Sequence, residues 1–407
     1  MDIKIRTLTP LWTGGVDRTC DRLHETGIIG SLRWWYEAIV RGLGGYACDP
    51  TSEDPKTRCE FDAKSYEQAK RDGKPEAEAI NAGLNSVCPV CYLFGTTGWA
   101  RLFQLRAMEV PMTPLHFRTT IKMNQGWLKR VFGGENQNID SLQVPYGELL
   151  FQFVSRRSDA EYARSQFALI LRVAAEYGGI GARLQHGFGQ FVFPMQVNDI
   201  TLERGIQDLQ AKLRMGVLRS SGPVVETPFD LRKLVSLTFE ISKSQLNAFT
   251  TERTHIGKTN KREKNRYIPC AFDLRYKGTG NFGMRQWLKG KGWKETTDPQ
   301  KLEELDILLG PRSQWGRGNN QGQIDDDFRT ASRVFFGMPY QKPESKEVYI
   351  LRVWAFLPPE LQHRLPTPQA LIAMLEEYMR HVFDTKAQKI SAVLGKDILE
   401  QGAGGTK

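Results

Sequence analysis

Four cysteines in the first quarter of the chain are the residues whose type and spacing most clearly predict chemistry. Cys88 and Cys91 form a Cys-x-x-Cys pair, which can place two thiolates along one edge of a tetrahedral metal site. Cys48 and Cys59 lie upstream in the same polar segment. We predict that the four cysteines bind a structural zinc ion. A redox pair and buried free thiols are the alternatives, although no thioredoxin-like pattern surrounds the pair.

A glycine-rich segment over residues 178–189 is the second candidate, and it follows a predicted helix. Glycine allows positive φ and a close approach of the backbone to a phosphate. Arg183 could contact a phosphate, and His186 or Phe188 could stack on a base. The segment lacks the Lys-Ser/Thr ending of a Walker loop. A tight turn that ends the helix is the alternative interpretation.

Basic residues are concentrated in a polar segment over residues 251–267, which has no apolar period. We predict that this segment orders on RNA, and a solvated loop is the alternative. The cations that we predict to contact RNA here are Lys258, Lys261, Arg262, Lys264 and Arg266.

The overall charge favours a polyanionic partner. The chain has 56 Lys and Arg residues against 46 Asp and Glu residues, which gives a formal net charge of +10. An excess of this size attracts nucleic acid at long range. The sequence has no apolar run of membrane-spanning length and no signal-peptide pattern. We therefore expect a cytoplasmic protein without a membrane partner, in a compartment that keeps thiols reduced.

The histidines do not form a recognisable catalytic arrangement. A ribonuclease without a metal ion needs a base beside cations, and His24 or His186 could be considered for that role. Each is more often a binding or packing residue. We therefore expect no catalytic residue in this chain.

The first half of the chain contains elements in the order strand, helix, strands, helix, strand. Residues 3–7 alternate in polarity as a strand does, and a helix is predicted to begin at Ser31 after a loop over Gly27–Gly30. This helix places Arg33 and Arg41 opposite its apolar face, where we predict RNA contact.

The element order predicts an α+β protein with two tandem ferredoxin-like (RRM-like, βαββαβ) domains. The first covers residues 1–200, with a Cys-containing insertion at 46–98 that should add little to the core. An irregular boundary region follows over residues 200–230. The second, distorted domain covers residues 230–383, and residues 384–407 form a C-terminal helix and tail.

Several motifs together resemble the RAMP superfamily of CRISPR-associated proteins, and within it the subunits of type III-B Cmr effector complexes. The motifs that carry the resemblance are residues 8–15 (LTPLWTGG), 27–36 (GIIGSLRWWY), 88–95 (CPVCYLFG), 186–189 (HGFG) and, more weakly, 331–337 (ASRVFFG). One departure is that Leu184-Gln185-His186 replaces arginines that usually precede the family's Gly-Phe-Gly. This replacement predicts a weaker phosphate contact there.

The resemblance implies a non-catalytic RNA-binding subunit that caps the backbone of such a complex. It also implies contact with guide RNA and target RNA, and assembly beside other RAMP subunits, one of which cuts the target. A metal-independent endoribonuclease that processes guide RNA, from the same superfamily, is the alternative function. A protein scaffold that binds no RNA is a third.

Overall fold

The computed structural model describes residues 1–15, 20–52, 54, 56–114, 143–156, 159–193, 201–223, 227, 229–248, 274–275, 283–295, 301–311, 331–383 and 387–402. Helices and antiparallel sheets are interleaved along these residues, which confirms the predicted α+β class. The strands are β1 (Asp2–Thr7), β2 (Phe103–Glu109), β3 (Met112–Pro114), β4 (Gln143–Pro145), β5 (Glu148–Ser155), β6 (Phe191–Val192), β7 (Leu234–Ser242), β8 (Val334–Phe336), β9 (Tyr340–Gln341), β10 (Val348–Phe356) and β11 (Gln388–Leu394).

Along the chain, most of the α-helices come between strands of the two larger sheets. They are α1 (Glu25–Gly42), α2 (Ala63–Arg71), α3 (Glu76–Leu84), α4 (Pro89–Phe94), α5 (Ala160–Tyr177), α6 (Leu202–Arg214), α7 (Lys243–Ala248), α8 (Met284–Gly290), α9 (Glu304–Leu309), α10 (Pro368–Phe383) and α11 (Gly395–Gly402). Within the described ranges, no helix is long and apolar enough to cross a membrane.

The first sheet has the strand order β2-β5-β1-β6, and each neighbouring pair is antiparallel. Strand β1 alternates exposed and buried residues, so this strand presents one face to the core and the other to solvent. Helices α1 and α5 contribute to the core on the buried face. For example, the rings of Phe153 in β5 and Phe167 in α5 have centroids 4.7 Å apart.

The second sheet has the strand order β11-β7-β10-β8, with β9 also paired to β10. Strand β10 is buried on both faces. Leu351 and Val353 pack into the core of the second half, whereas Trp354 and Phe356 join the core of the first half. Because both faces of β10 are buried, its sequence is a nearly continuous run of apolar residues.

An aromatic cluster joins the two halves around Trp34 of α1. Its ring centroid lies 4.9 Å from that of Phe229, 5.5 Å from that of Phe356 and 6.4 Å from that of Phe335. Aromatic pairs at these separations contribute packing energy beyond their buried area. The two sheets therefore share an apolar interface.

Helix α1 begins six residues earlier than the sequence predicts, at Glu25 instead of Ser31. The side chain of Thr13 explains the earlier start, because its hydroxyl accepts a 2.9 Å hydrogen bond from the backbone N–H of His24. The prediction of a free loop over Gly27–Gly30 is wrong, since these residues form the first turns of the helix.

Three other predicted segments differ from the structure. The segment 46–98 contains α2, α3 and α4, and its last part enters the core through residues such as Val90 and Leu93. The region 200–230, predicted as irregular, contains α6, where Gly205 packs against Leu169 of α5. Residues 384–407 do not form only a helix and tail, because β11 lies in this range and pairs with β7.

Candidate functional site

The four predicted zinc ligands come together in the structure. The sulfur atoms of Cys48, Cys59, Cys88 and Cys91 all lie within 4.8 Å of one another, and all four residues are buried. The sulfurs of Cys48 and Cys91 are 3.3 Å apart. Four sulfurs at about 2.3 Å from a tetrahedral zinc ion would be separated by about 3.8 Å, which is within the range of the cluster.

Local backbone structure positions the cysteines. Cys88 is the N-cap of α4 and Cys91 lies one turn later, so a single short helix orients both thiols. The sulfur of Cys88 accepts from the backbone N–H of Cys91 at 3.5 Å, and the sulfur of Cys59 accepts from the N–H of Cys88 at 3.3 Å. Backbone N–H donors around sulfur favour the thiolate form that a metal ion requires.

The sulfurs of the cluster shift one another's pKa. Hydrogen bonding with Cys48 lowers the pKa of the Cys91 thiol, and the positive charge of Arg33 acts in the same direction. Hydrogen bonding with Cys59 and the other sulfurs raises the pKa of Cys48. Four buried thiolates would repel one another without a cation between them. The donor set, its burial and its spacing therefore fit a divalent metal ion that prefers sulfur.

The two arginines of α1 lie beside this cluster and the interface between the halves. Arg33 donates to the sulfur of Cys91 at 3.2 Å and to the carboxylate of Glu37 at 3.1 Å. Arg41 lies 3.5 Å from the other oxygen of Glu37 and donates to the carbonyl of Phe229 at 3.3 Å. Their predicted contact with RNA stays a prediction, and both guanidinium groups are mostly buried.

The glycine-rich segment docks onto the second half of the chain. Its Gly187 carbonyl accepts from the N–H of Met338 at 3.2 Å, and the side chain of Gln190 donates to the carbonyl of Met338 at 2.9 Å. Gly187 has φ +86°, and a Cβ at this position would lie 2.7 Å from the Met338 nitrogen. The alternative interpretation, a tight turn that ends the helix, therefore explains why position 187 needs a glycine.

Arg183 is partly exposed, and it is the permanently charged residue of this segment. It has φ +61°, and its guanidinium lies 4.4 Å from the centroid of the buried Trp12 ring. No carboxylate among the described residues pairs with Arg183. Burial lowers the pKa of Arg183 to about 10, so the group remains charged at neutral pH. The result is a cation stacked on an aromatic ring.

The other predicted stacking residues are buried. Phe188 has 0% exposure and meets the Trp12 ring edge-on at 5.5 Å, so its ring has no free face for a base in this conformation. His186 is also buried, and burial lowers its pKa well below the usual value, with Arg275 and Arg183 adding to the effect. His186 is therefore neutral at physiological pH. The exposure that stacking on a base requires cannot be predicted from residue type.

His24, the other histidine considered for catalysis, lies at the start of α1. Its ring nitrogen lies 2.7 Å from a carboxylate oxygen of Asp21. The five cations of the basic segment, namely Lys258, Lys261, Arg262, Lys264 and Arg266, lie outside the described residues.

Two residues of this region were not predicted from the sequence. Trp12 forms the surface under Arg183, and Arg352 of β10 donates to the carbonyl of Ala175 at 2.7 Å at the end of α5. A charged residue in the middle of an apolar strand is a signal that could have identified Arg352. The buried Trp12 lies within a motif that was recognised only as part of the resemblance.

The glycine-rich segment and most of the first sheet lie in one stretch of sequence that matches a known family. Residues 4–192 match the RAMP superfamily. The predicted resemblance to the RAMP superfamily is confirmed over this stretch.

The chain is also similar to solved structures of Cmr proteins. Cmr1 from Pyrococcus furiosus in its apo form shares 14% identity, with 88% of this chain and 87% of that chain covered and a TM-score of 0.40. A chain of the type III-B Cmr-beta complex bound to cognate target RNA shares 11% identity, with 94% and 99% covered and a TM-score of 0.39. No curated protein sequence matches the chain significantly.

Proposed function

We propose that this chain is a non-catalytic RNA-binding subunit of a type III-B CRISPR effector complex, which acts in antiviral defence in the cytoplasm. It would cap the backbone of the complex beside other RAMP subunits and contact guide RNA and target RNA. The RAMP match over residues 4–192 and the motifs that carry the resemblance support this proposal. The net charge of +10 supports a nucleic-acid partner.

We also propose that both halves are ferredoxin-like domains. In the first sheet β1 and β5 are central neighbours, with β2 beyond β5 and β6 beyond β1. In the second sheet, apart from the short β9, β7 and β10 are central neighbours, with β8 beyond β10 and β11 beyond β7. This strand order is that of a βαββαβ unit. The segment 46–98 follows α1 and precedes β2, so it would be an insertion between the first helix and the second strand.

The observation that carries the RNA-binding proposal is the Arg183–Trp12 pair. A half-buried cation without a carboxylate partner among the described residues leaves local positive charge at the surface. A phosphate group would compensate this charge and accept hydrogen bonds from the guanidinium.

The cysteine cluster would hold a structural zinc ion. The ion would supply no chemistry to RNA, but would stabilise the fold by joining three separate points of segment 46–98, at Cys48, Cys59 and the Cys88–Cys91 turn. All four ligand positions would be filled by sulfur, as in closed structural sites.

The test of RNA binding is the variant Arg183→Asn, because asparagine tolerates the left-handed backbone of this position. We expect the affinity for single-stranded RNA to fall by roughly 1–3 kcal/mol, the value of a charge-assisted contact. Arg156→Asn is the matched control, since it removes one exposed positive charge from the first half. Equal effects of the two variants would show that Arg183 makes no specific contact with RNA.

We propose that no residue of this chain cleaves RNA. The buried, neutral His186 is poorly placed to exchange protons with a substrate, which supports this view over the endoribonuclease. We expect His24→Ala and His186→Ala to leave target cleavage by the assembled complex intact. Loss of cleavage with normal assembly and RNA binding would favour the ribonuclease instead.

A further inference from the structure

The guanidinium of Arg33 lies against the cysteine cluster. Its Nη2 atom is 3.2 Å from the sulfur of Cys91 and 4.0 Å from that of Cys48. Its side chain is only 17% exposed. A guanidinium at these distances donates N–H groups to sulfur and adds positive charge to the cluster.

The electrostatics of a buried zinc tetrathiolate favour such a group. Four thiolates and one zinc ion carry a net charge of −2, and an uncompensated buried charge is costly. Arg33 supplies one positive charge in contact with two of the four sulfurs. Arg33 thereby neutralises part of the negative charge of the zinc ion and its four thiolates, and the four sulfur ligands stay the same.

The position of Arg33 is fixed by oxygen atoms on its other sides. Glu37 accepts from its Nε at 3.1 Å, and the carbonyl of Gly95 lies 3.4 Å from its Nη1. Gly95 ends α4, the helix that carries Cys88 and Cys91. Arg33 therefore connects α1 to the middle and to the C-terminal end of the helix that would present two of the ligands.

We propose that Arg33 is the counter-ion and positioning residue of the zinc site, and that it does not bind RNA. This inference rests on the proposed zinc site. Hydrogen bonds to the side chains that bind a metal orient those side chains. Loss of such a hydrogen bond typically weakens metal binding by about 10–100-fold. Lysine at this position would keep the charge but lose the planar fork that contacts sulfur, Glu37 and Gly95 together.

The test compares zinc affinity and the Co²⁺-thiolate absorption spectrum of full-length variants. We expect Arg33→Met to bind zinc about 10–100-fold more weakly and to shift the sulfur-to-cobalt charge-transfer bands. Arg33→Lys should give an intermediate result. Arg204→Met is the matched control, because Arg204 also pairs with an acidic residue four positions later, at 3.1 Å, on an exposed helix face.

The outcomes separate this inference from the proposals on which it rests. If the wild-type chain binds neither zinc nor Co²⁺ through thiolates, the zinc site itself is wrong. If the wild-type chain binds zinc and both Arg33 variants match it in affinity and spectrum, the counter-ion role is wrong. If Arg33→Met does not fold, the spectrum of Arg33→Lys decides. A zinc-loaded Arg33 variant that loses RNA affinity with an unchanged metal site would make Arg33 an RNA ligand.

Discussion

Replacing Gly189 by alanine distinguishes a packing role of the glycine-rich segment from a phosphate-binding role. Gly189 has φ +82°, and a Cβ at this position would overlap the carbonyl oxygen of Ile180. The backbone of Gly189 also accepts from the N–H of Ile180 and donates to the carbonyl of Pro10, both at 2.9 Å. The segment is thus closely packed on the chain's own backbone.

The expected magnitude follows from these contacts. A left-handed backbone costs a non-glycine residue roughly 1–2 kcal/mol. Moving the Ile180 carbonyl away would weaken a neighbouring backbone hydrogen bond, which is worth about 1 kcal/mol. With the steric overlap added, we expect Gly189→Ala to lower the free energy of unfolding by roughly 3 kcal/mol or more.

Two control variants isolate the contributions. Gly44 has φ +80° with no atom within 4 Å of an added Cβ, so Gly44→Ala reports the backbone cost alone. Gly30 is helical with no such neighbour, and Gly30→Ala should stabilise the chain by about 0.4–1 kcal/mol. Urea denaturation measures all three. If Gly189→Ala unfolds like the wild-type chain but loses RNA affinity, the packing account is wrong and a phosphate-binding role replaces it.

Three further predictions concern the metal, the charge and the acid stability of the chain. Cys88→Ser should lower zinc content and destabilise segment 46–98; elemental analysis of protein purified without added metal that detects no bound metal would contradict this. Replacing Lys261, Arg262 and Lys264 together by alanine should reduce the slope of log affinity against log salt by roughly 2, and an unchanged slope would exclude these residues from the RNA path. Burial raises the pKa of Glu304, but hydrogen bonds from Arg364, the Lys294 N–H and His363 outweigh it and lower the pKa to about 2. The stability that this carboxylate provides is therefore present above the unfolded pKa of about 4.3 and lost as pH falls toward about 2. Glu304→Gln should flatten that part of the stability profile, and an unchanged profile would contradict the assignment.

Local periodicity was sufficient to predict the elements whose side chains pack in a regular pattern. The residues of strand β7 alternate in polarity, and those of helix α10 form an apolar stripe. Thr367 caps α10, because its hydroxyl accepts a 3.2 Å hydrogen bond from the N–H of Ala370. Strand β11 was missed because its residues are mostly exposed and its pairing with β7 joins positions about 150 residues apart. Its sequence alone contains no alternation that marks a strand.

The cysteine cluster was predictable for a different reason than its surroundings. The Cys-x-x-Cys spacing is typical of metal sites. The sequence therefore indicates four candidate ligands without knowledge of the fold, namely Cys48, Cys59, Cys88 and Cys91. Arg33 was expected on a solvated face because it alternates with apolar residues of α1. Its burial depends on segment 46–98 folding back over the helix, a long-range contact that helical periodicity does not contain.

The most direct test of the proposed function is to incubate the purified full-length chain with labelled single-stranded RNA, without added metal. A native gel reports binding, and a denaturing gel of the same sample reports the integrity of the RNA. We predict that the RNA is bound, that binding weakens between about 50 mM and about 200 mM salt, and that the RNA stays intact. Folded protein that leaves the RNA unbound, or that cuts it at a defined position, would contradict the account.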